Sequence, residues 1–387
     1  RLPAGEAAGH LHHTRALWYQ GRFGEAQQEG ARARALAERA GLRQLVGDSL
    51  RTLGNIAIHE GRYADAVAIC EQALAIHRED RDAKGESYTL NNLGTVYWYL
   101  SDFPAARAAY TRALEILRAI GDRYGQSLAL LNLGEVAGVQ GDYPGAQGYY
   151  AEALRLKRET GDRYGESVAL TSLADTLLAL GALEGARANY EAALALTGAL
   201  GHRQQEGWVQ ARIGLLLHQQ GDDGAALAQS EQALALAQAI NDRNTQGYAL
   251  ALRGHSLAAL GQPAEAAEAY RQSLELRRTL QQPNLAAEAL AGLARLALEG
   301  GDLAQASAHT AAILTSMDGG ALEGADEPFR VHLTCYRTLR AMGDARAEQL
   351  LERARALLNE RAARIEEPSA RRAFLERVPS HRELLGE

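Results

Sequence analysis

Small and apolar residues recur along the chain with a step of 40 residues, and residues 90–121 (LNNLGTVYWYLSDFPAARAAYTRALEILRAIG) contain one complete unit. The first half places Leu90, Leu93, Gly94 and Tyr97 at positions i, i+3, i+4 and i+7, which is one face of an α-helix. The second half carries alanines and a tyrosine at similar helical spacing. A fixed period of this length predicts stacked two-helix repeats, because a single unit cannot bury its apolar face alone.

A turn residue separates the two helices of every unit, and alanine stands five residues after it in all eight units. Glycine inside a helix costs about 1 kcal/mol relative to alanine, so the recurrent glycine of the first helix, Gly94 in this unit, needs a structural reason. We expect the second helix to approach closely there, with Ala106 facing the glycine. The turn positions are Gly21, Gly61, Ser101, Gly141, Gly181, Gly221, Gly261 and Gly301.

The ends of the helices are marked by short dipeptides. In Gly121-Asp122, the glycine suits the left-handed position that ends a helix, and the aspartate suits the N-cap of the next helix. Such short loops make consecutive helices antiparallel. We therefore predict an all-α solenoid with eight helix pairs of 40 residues over residues 1–317. Residues 318–387 are predicted to form an acidic loop, a degenerate helix pair and a C-terminal cap that hides the last apolar face.

Composition and charge limit the classes of function. The formal charge of −7 disfavours binding to nucleic acid through its phosphates, and the chain lacks the run of about 18 apolar residues that predicts a membrane helix. The two cysteines, Cys70 and Cys335, match neither a disulfide framework nor a metal site, which fits a cytoplasmic location. Phosphate-binding-loop, nucleophile-elbow and HExxH motifs are absent from the sequence. We expect no catalysis, no cofactor and no metal.

The start of the chain supports two further expectations. It opens on Arg1 instead of methionine, which suggests a fragment of a longer protein. His10, His12 and His13 resemble a metal cluster, but two of them are adjacent, and we interpret them as an exposed helix start.

The repeated signature resembles that of the tetratricopeptide repeat over residues 7 to about 317. In the third unit, the residues that carry it are Leu90, Leu93, Gly94, Tyr97, Ala106, Tyr110 and Ala113. The standard repeat has 34 residues, whereas this one has 40 and lacks the proline that usually closes the second helix. Motifs such as TLNNLGTVY and GDRYGQSLALLNLG resemble the longer variant of kinesin light chains, bacterial signalling ATPases and transcription regulators. The tail FLERVPSHRELL resembles the segment that closes such arrays in the bacterial regulators.

This resemblance implies a right-handed superhelix whose inner wall is built by the first helix of each unit. Most members of the family hold a peptide or protein segment in that groove, and a few bind a small molecule. The resemblance also implies that the chain is the sensor or scaffold part of a larger bacterial signalling protein.

The inner wall should be formed by the face of the first helix that lies opposite its buried stripe. At about 100° per residue, the face opposite Leu90 and Leu93 falls on positions 88, 92, 95 and 99. Steps of 40 residues extend each position into a ladder whose members vary between units, as a binding surface requires, although a solvated face would vary too. The strongest candidates are Tyr88, Asn92, Thr95, Tyr99, Asn132, Glu135, Asp175, Trp208, Arg212, Tyr248, His255 and Arg295.

Two kinds of side chain in this set suit an extended peptide. Asn92 and Asn132 each offer a hydrogen-bond donor and an acceptor, which matches the main chain of a peptide. Tyr99, Trp208 and Tyr248 can act as aromatic anchors.

The charged candidates have mixed signs. Arg212 and Arg295 can hold a carboxylate or phosphate with a fork of N–H donors. Glu135 and Asp175 form an acidic patch, and we favour this interpretation over a catalytic carboxylate pair. The mixture of charges does not select one ligand.

Two functions therefore remain open. The first is a module that binds a protein or peptide, or another domain of the same full-length protein, in its groove. The second is an effector sensor in which Trp208, Tyr248 and His255 surround a small molecule. An RNA-binding repeat is opposed by the acidic balance.

Overall fold

The computed structural model describes residues 2–317, 322 and 325–386, apart from the side chains of Leu2, Pro3 and Tyr19. All regular secondary structure in this part of the chain is α-helical, with no strand, and it forms a helical-repeat solenoid. The first helices of the repeats are α1 (Leu2–Tyr19), α3 (Arg43–His59), α5 (Ala83–Tyr99), α7 (Arg123–Val139), α9 (Arg163–Ala179), α11 (Arg203–Gln219), α13 (Arg243–Ala259) and α15 (Pro283–Glu299). The second helices are α2 (Phe23–Arg39), α4 (Tyr63–Glu79), α6 (Phe103–Ala119), α8 (Tyr143–Thr160), α10 (Leu183–Leu200), α12 (Asp223–Ala239), α14 (Pro263–Thr279) and α16 (Leu303–Met317). Four more helices follow: α17 (Pro328–Ala341), α18 (Arg346–Ala363), α19 (Pro368–Glu376) and α20 (Pro379–Gly386).

The contacts divide the chain into two compact units. Unit 1 comprises Arg1–Val136 and Glu152–Gly161, and unit 2 comprises Ala137–Ala151 and Asp162–Glu387. In unit 1, the helices of each pair from α1 to α6 pack together, and each second helix also packs on the next first helix. Unit 2 repeats this arrangement from α9 to α16.

The turns have the conformation that the dipeptides predict. Gly121 has a φ of 73°, in the left-handed region, and even Ser101 adopts a φ of 59° at its turn. The Oδ1 atom of Asp122 accepts a hydrogen bond of 2.9 Å from the backbone N–H of Gly125. The predicted helix stop and helix start are therefore confirmed at this position.

At Gly94 and Gly254, the small residue in the first helix makes room for a bulky residue of the second helix. A Cβ atom added to Gly94 would lie 2.6 Å from Cε1 of Tyr110, and one added to Gly254 would lie 2.6 Å from Cε1 of Tyr270. The three atoms nearest to the added Cβ of Gly94 thus belong to Tyr110 and not to Ala106, whereas a Cβ added to Gly214 would lie 3.4 Å from the backbone oxygen of Ala226, the alanine five residues after that turn. Tyr110, four residues after Ala106 on the second helix, reaches across and fills the space above the Gly94 backbone.

The helices after α16 belong to the core of unit 2. Helix α17 packs on α15 and α16, and its Phe329 and Cys335 are buried in the same cluster as Tyr270. Arg361 of α18 donates a hydrogen bond of 3.1 Å to the Tyr143 hydroxyl. The C-terminal helices thus reach the start of α8 as well as the last repeat.

The acidic segment predicted as a loop is described only in part. Residues 318–321, 323 and 324 lie outside the described residues, whereas Asp326 and Glu327 directly precede α17.

Among the described helices, none has the length and apolar composition of a membrane span.

Candidate functional site

The predicted groove residues fall into two sets with different surroundings. Those in unit 1 are Tyr88, Asn92, Thr95, Tyr99, Asn132 and Glu135, and none of them is fully buried. Those in unit 2 are Asp175, Trp208, Arg212, Tyr248, His255 and Arg295, of which Arg212, Tyr248 and His255 are buried.

Two asparagines of unit 1 join α5 to α3 and α7 to α5. The Asn92 amide donates a hydrogen bond of 3.2 Å to the Arg51 backbone carbonyl. The Asn132 amide donates one of 3.0 Å to the Oδ1 atom of Asn91. Within the described part of the chain, the Oδ1 atoms of Asn92 and Asn132 accept no hydrogen bond, so two amide oxygens remain available to a ligand's N–H groups.

Glu135 is the least constrained carboxylate of this set. Its side chain is exposed, and it has no hydrogen bond or ion pair among the described residues. The surrounding protein nevertheless desolvates it and raises the pKa of Glu135 to about 7. A side chain that is exposed to solvent and still surrounded by many protein atoms is typical of a concave surface. Because Glu135 has no internal partner to lose, it can accept a hydrogen bond from a ligand.

Tyr99 and Thr95 of unit 1 differ in how far they are exposed. Tyr99 is 47% exposed, and its ring stacks on Tyr63 with the centroids 5.2 Å apart. Thr95 is used internally, since its hydroxyl accepts a hydrogen bond of 3.1 Å from the Tyr110 hydroxyl. Of these, only Tyr99 presents a large apolar surface to solvent.

A cavity of about 390 Å³ opens beside Tyr88. The Tyr88 hydroxyl donates to Asp122 at 3.1 Å, and the Arg51 guanidinium lies 5.8 Å from the centre of the ring. Arg51 also binds Asp48 at 3.0 Å. The lining residues are Arg15, Gln44, Asp48, Arg51, Asp82, Lys84, Gly85 and Tyr88.

In unit 2, the centre of the site is Arg212, which is only 4% exposed. The Nε atom donates to Asp175 at 2.7 Å, and Nη1 donates to Asp326 at 2.7 Å and to the Tyr248 hydroxyl at 2.6 Å. Burial by itself would lower the pKa of Arg212, but the two carboxylates outweigh it and raise that pKa well above its usual value. The fork of donors expected to hold a ligand thus holds two carboxylates of the chain itself.

The segment before α17 is bound through its main chain as well. The backbone N–H groups of Asp326 and Glu327 donate to Oε1 of Glu288 at 2.5 and 3.1 Å. Arg330 of α17 pairs with Glu327 at 3.0 Å and donates to Nε2 of His218 at 3.0 Å. Side chains of the first helices α11 and α15 therefore bind an acidic segment of the chain itself.

His255 and Arg295 meet through Tyr270. The Tyr270 hydroxyl bonds with Nδ1 of His255 at 2.7 Å and accepts a bond of 3.3 Å from Arg295. Burial and then the positive charge of Arg330 hold the pKa of His255 well below its usual value, so the neutral imidazole can accept a hydrogen bond from the Tyr270 hydroxyl. The adjoining cavity measures about 10 Å³, which is room for one water molecule.

The expected effector pocket is therefore not open in this conformation. Trp208 packs on Tyr248 with ring centroids 5.1 Å apart, and the Arg212 guanidinium lies over both rings. These aromatic rings bind the chain's own arginine.

Several residues of the unit 2 site were not among the candidates, and four of them show why: Tyr190, Asp326, Glu327 and Arg330. Tyr190 occupies the recurrent tyrosine position, and its hydroxyl bonds with Asp175 at 2.5 Å. The other three lie outside the 40-residue period, so the ladders could not include them. The acidic composition of their segment was the available signal.

The N-terminal histidines bind a carboxylate in this structure. Nδ1 of His10 lies 2.6 Å from Oε2 of Glu29, and Nδ1 of His13 lies 3.6 Å from the same atom. In the described residues, no cluster of three side chains has the composition and spacing of a metal site.

Two family models, both described as tetratricopeptide repeat, match the sequence. One matches residues 45–119 and 126–199, and the other matches residues 91–159 and 252–317. Together they cover more than half of the chain. No curated protein sequence matches it.

Solved structures match the fold at low sequence identity. A Rap protein complexed with competence and sporulation factor has a TM-score of 0.61 and 16% identity, over 99% of this chain and 98% of its own. The Rap conjugation gene regulator of plasmid pLS20, in complex with the Phr* peptide, has a TM-score of 0.60 and 14% identity, over 93% and 97%. A signal transduction ATPase with numerous domains and a tetratricopeptide repeat sensor, from Pyrococcus horikoshii, has a TM-score of 0.55 and 18% identity, over 83% and 54%.

Proposed function

The chain belongs to the tetratricopeptide repeat family, and from that premise we propose that it is a non-catalytic module that binds a protein or peptide along its first helices. The open residues of unit 1, including Asn92, Asn132 and Glu135, are the proposed contact surface. The module would serve as the sensor or scaffold part of a larger signalling protein.

One observation carries this proposal: the first helices of unit 2 bind a segment of the chain itself, the one that contains Asp326 and Glu327. Glu288 accepts two main-chain N–H groups, and Arg212 binds the carboxylate of Asp326. Binding of an extended peptide needs the same two elements, namely main-chain hydrogen bonds for affinity and side-chain contacts for specificity. The corresponding face of unit 1 is free of such a segment in the described structure.

The chemistry of unit 1 suits a polar ligand with a few aromatic contacts. Asn92 and Asn132 keep free amide oxygens, Glu135 keeps a free carboxylate, and Tyr99 offers an exposed ring. The two Rap proteins resemble this chain in fold, and the pLS20 regulator was solved with a peptide bound. The ATPase with a repeat sensor gives a precedent for the same fold as part of a larger chain.

A peptide-display selection on the purified chain tests the proposal. We expect wild-type protein to enrich a set of related peptides, and the Asn92→Ala plus Asn132→Ala variant to bind them at least about tenfold more weakly, as for the loss of about 1.4 kcal/mol. Fluorescence anisotropy with the selected peptides measures the change. Asn189→Ala is the matched control, because Asn189 lies on a second helix and loses a similar bond, from its amide to the Gly185 carbonyl.

Melting curves by circular dichroism accompany the binding data, so that a folding defect is separated from a binding defect. Peptides that bind the double variant as tightly as wild type would contradict the proposed surface. A metabolite that raises the melting temperature in the absence of any peptide binder would instead support the effector-sensor alternative.

A further inference from the structure

Arg277, at the end of α14, is a buried cation without a counterion. Its side chain is 2% exposed, and no carboxylate of the described residues lies within ion-pair distance of the guanidinium. The Nη1 atom donates to the amide oxygens of Asn244 and Gln282, both at 2.7 Å. Amide oxygens are neutral, and buried charges are ordinarily paired with an opposite charge.

The same position in another repeat shows what is missing. Two hundred residues earlier, His77 is fully buried and its Nδ1 lies 3.0 Å from the carboxylate of Asp82, the N-cap of the next first helix. Five steps of 40 residues carry Asp82 onto Gln282. Gln282 makes no N-cap hydrogen bond and turns its oxygen to Arg277 instead. The sequence thus places a neutral amide where the earlier repeat has an anion.

Among the acidic residues that act on Arg277 through their charge, Glu288 has the largest effect. Burial raises the pKa of Glu288 to about 8, and its Oε1 atom is already occupied by two backbone N–H groups. Glu288 is therefore a poor counterion for Arg277 near neutral pH.

Arg277 lines a space that a ligand can enter. A cavity of about 310 Å³ is lined by Arg277, Arg278, Gln281, Gln282 and Ser316, among others. Arg278 is exposed and, in the part of the chain that the structure describes, has no ion pair, so it adds a second positive charge at the cavity. Gly247 lets the guanidinium lie close to α13, because a Cβ atom there would be 3.0 Å from Cζ of Arg277.

We propose that this cavity, between the α14–α15 turn and the end of α16, binds a phosphoryl group through Arg277 and Arg278. A dianion balances two guanidinium groups, and the planar fork of arginine matches the oxygens of a phosphate. The cavity exceeds the size of a bare phosphate, so the group can belong to a small molecule or to a phosphorylated side chain. None of its lining residues belongs to the first-helix surface of unit 1. The proposed phosphoryl site is therefore independent of the proposed function.

Thermal unfolding in phosphate and in chloride, at matched pH and ionic strength, tests the site. Because a ligand of the native state stabilises it by mass action, inorganic phosphate should raise the melting temperature of wild type saturably, by about 1–3 °C. Arg277→Met should lose this rise. Gln282→Glu should melt higher than wild type in chloride and should also lose the rise, because it places a carboxylate against the guanidinium. Arg271→Met, which removes an exposed arginine paired with Glu268, should keep the rise.

An equal rise in wild type, Arg277→Met and Gln282→Glu would be a general effect of phosphate on protein hydration and would overturn the proposal, as would the absence of a saturable rise in wild type. If Arg277→Met does not fold, Gln282→Glu decides, because it changes a single atom type at a surface turn. Titration with a phosphoserine peptide then identifies the source: tighter binding than inorganic phosphate indicates a phosphorylated protein, and equal binding indicates a free small anion.

Discussion

Gly94 and Tyr110 form the pair that fixes the spacing within a repeat. The ring occupies the place of a side chain at Gly94, and its hydroxyl donates to Thr95 at 3.1 Å. Tyr270 lies in the same way against Gly254. The intrinsic helix preference for alanine is therefore overridden here by tertiary packing.

We expect Gly94→Ala to destabilise the protein although it favours the helix. The added Cβ would lie 2.6 Å from the Tyr110 ring, so ring or backbone must move, at a cost of about 1–3 kcal/mol that exceeds the helix gain of about 1 kcal/mol. Gly148→Ala is the control, because Gly148 lies inside α8 and has no atom within 4 Å of the added Cβ. Chemical denaturation should move the two midpoints in opposite directions. A stabilised Gly94→Ala variant would refute the packing role of Tyr110.

The sequence could reveal that a small residue was needed in the first helix, but not which partner fills the space. Alanine recurs at the position of Ala106 in all eight units, whereas tyrosine recurs at that of Tyr110 in four of them. Periodicity therefore favours the alanine, and it predicts the helical face without showing how far a side chain reaches. That the Tyr110 ring reaches from the second helix to Gly94 becomes visible only in the three-dimensional structure.

At the scale of elements, the face of the first helices opposite their buried stripe has different surroundings in the two units. In unit 1 this face keeps unpaired polar atoms at Asn92, Asn132 and Glu135. In unit 2 the face is closed by the segment before α17, through Arg212 and Glu288. The helices and their faces follow from the 40-residue period, whereas the closure does not, because Asp326 lies 114 residues from Arg212 in a stretch without repeats.

We expect Asp326→Asn to loosen the attachment of α17. The change removes one carboxylate from buried Arg212, and breaking a buried charge pair leaves the remaining charge poorly compensated. The loss of unfolding free energy should be about 1–3 kcal/mol, since Asp175 still binds the guanidinium. A double-mutant cycle with Arg212→Met measures the coupling between the two residues.

Asp344→Asn serves as the matched control for Asp326→Asn, because Asp344 pairs with exposed Arg346 and exposed pairs contribute little. A coupling near zero between Asp326 and Arg212 would mean that this ion pair does not hold the segment in place.

At the scale of the whole molecule, the repeated first helices present an accessible face in unit 1 and a face occupied by the chain's own segment in unit 2. Among the packing positions, the alanine five residues after the turn recurs in all eight units. The residues of the opposite face vary, and in unit 2 Arg212 and Glu288 bind the chain's own segment. The sequence thus predicts the repeat architecture in detail, but the distribution of free and occupied faces depends on contacts between distant, non-repeated segments.

Hydrogen–deuterium exchange with a display-selected peptide is the most direct test of this account. Bound peptide should slow exchange in α5 and α7, where Asn92, Asn132 and Glu135 lie, and should leave α11 and α13 unchanged. Slower exchange confined to α11 and α13, with none in α5 or α7, would contradict the assignment of the open face to unit 1.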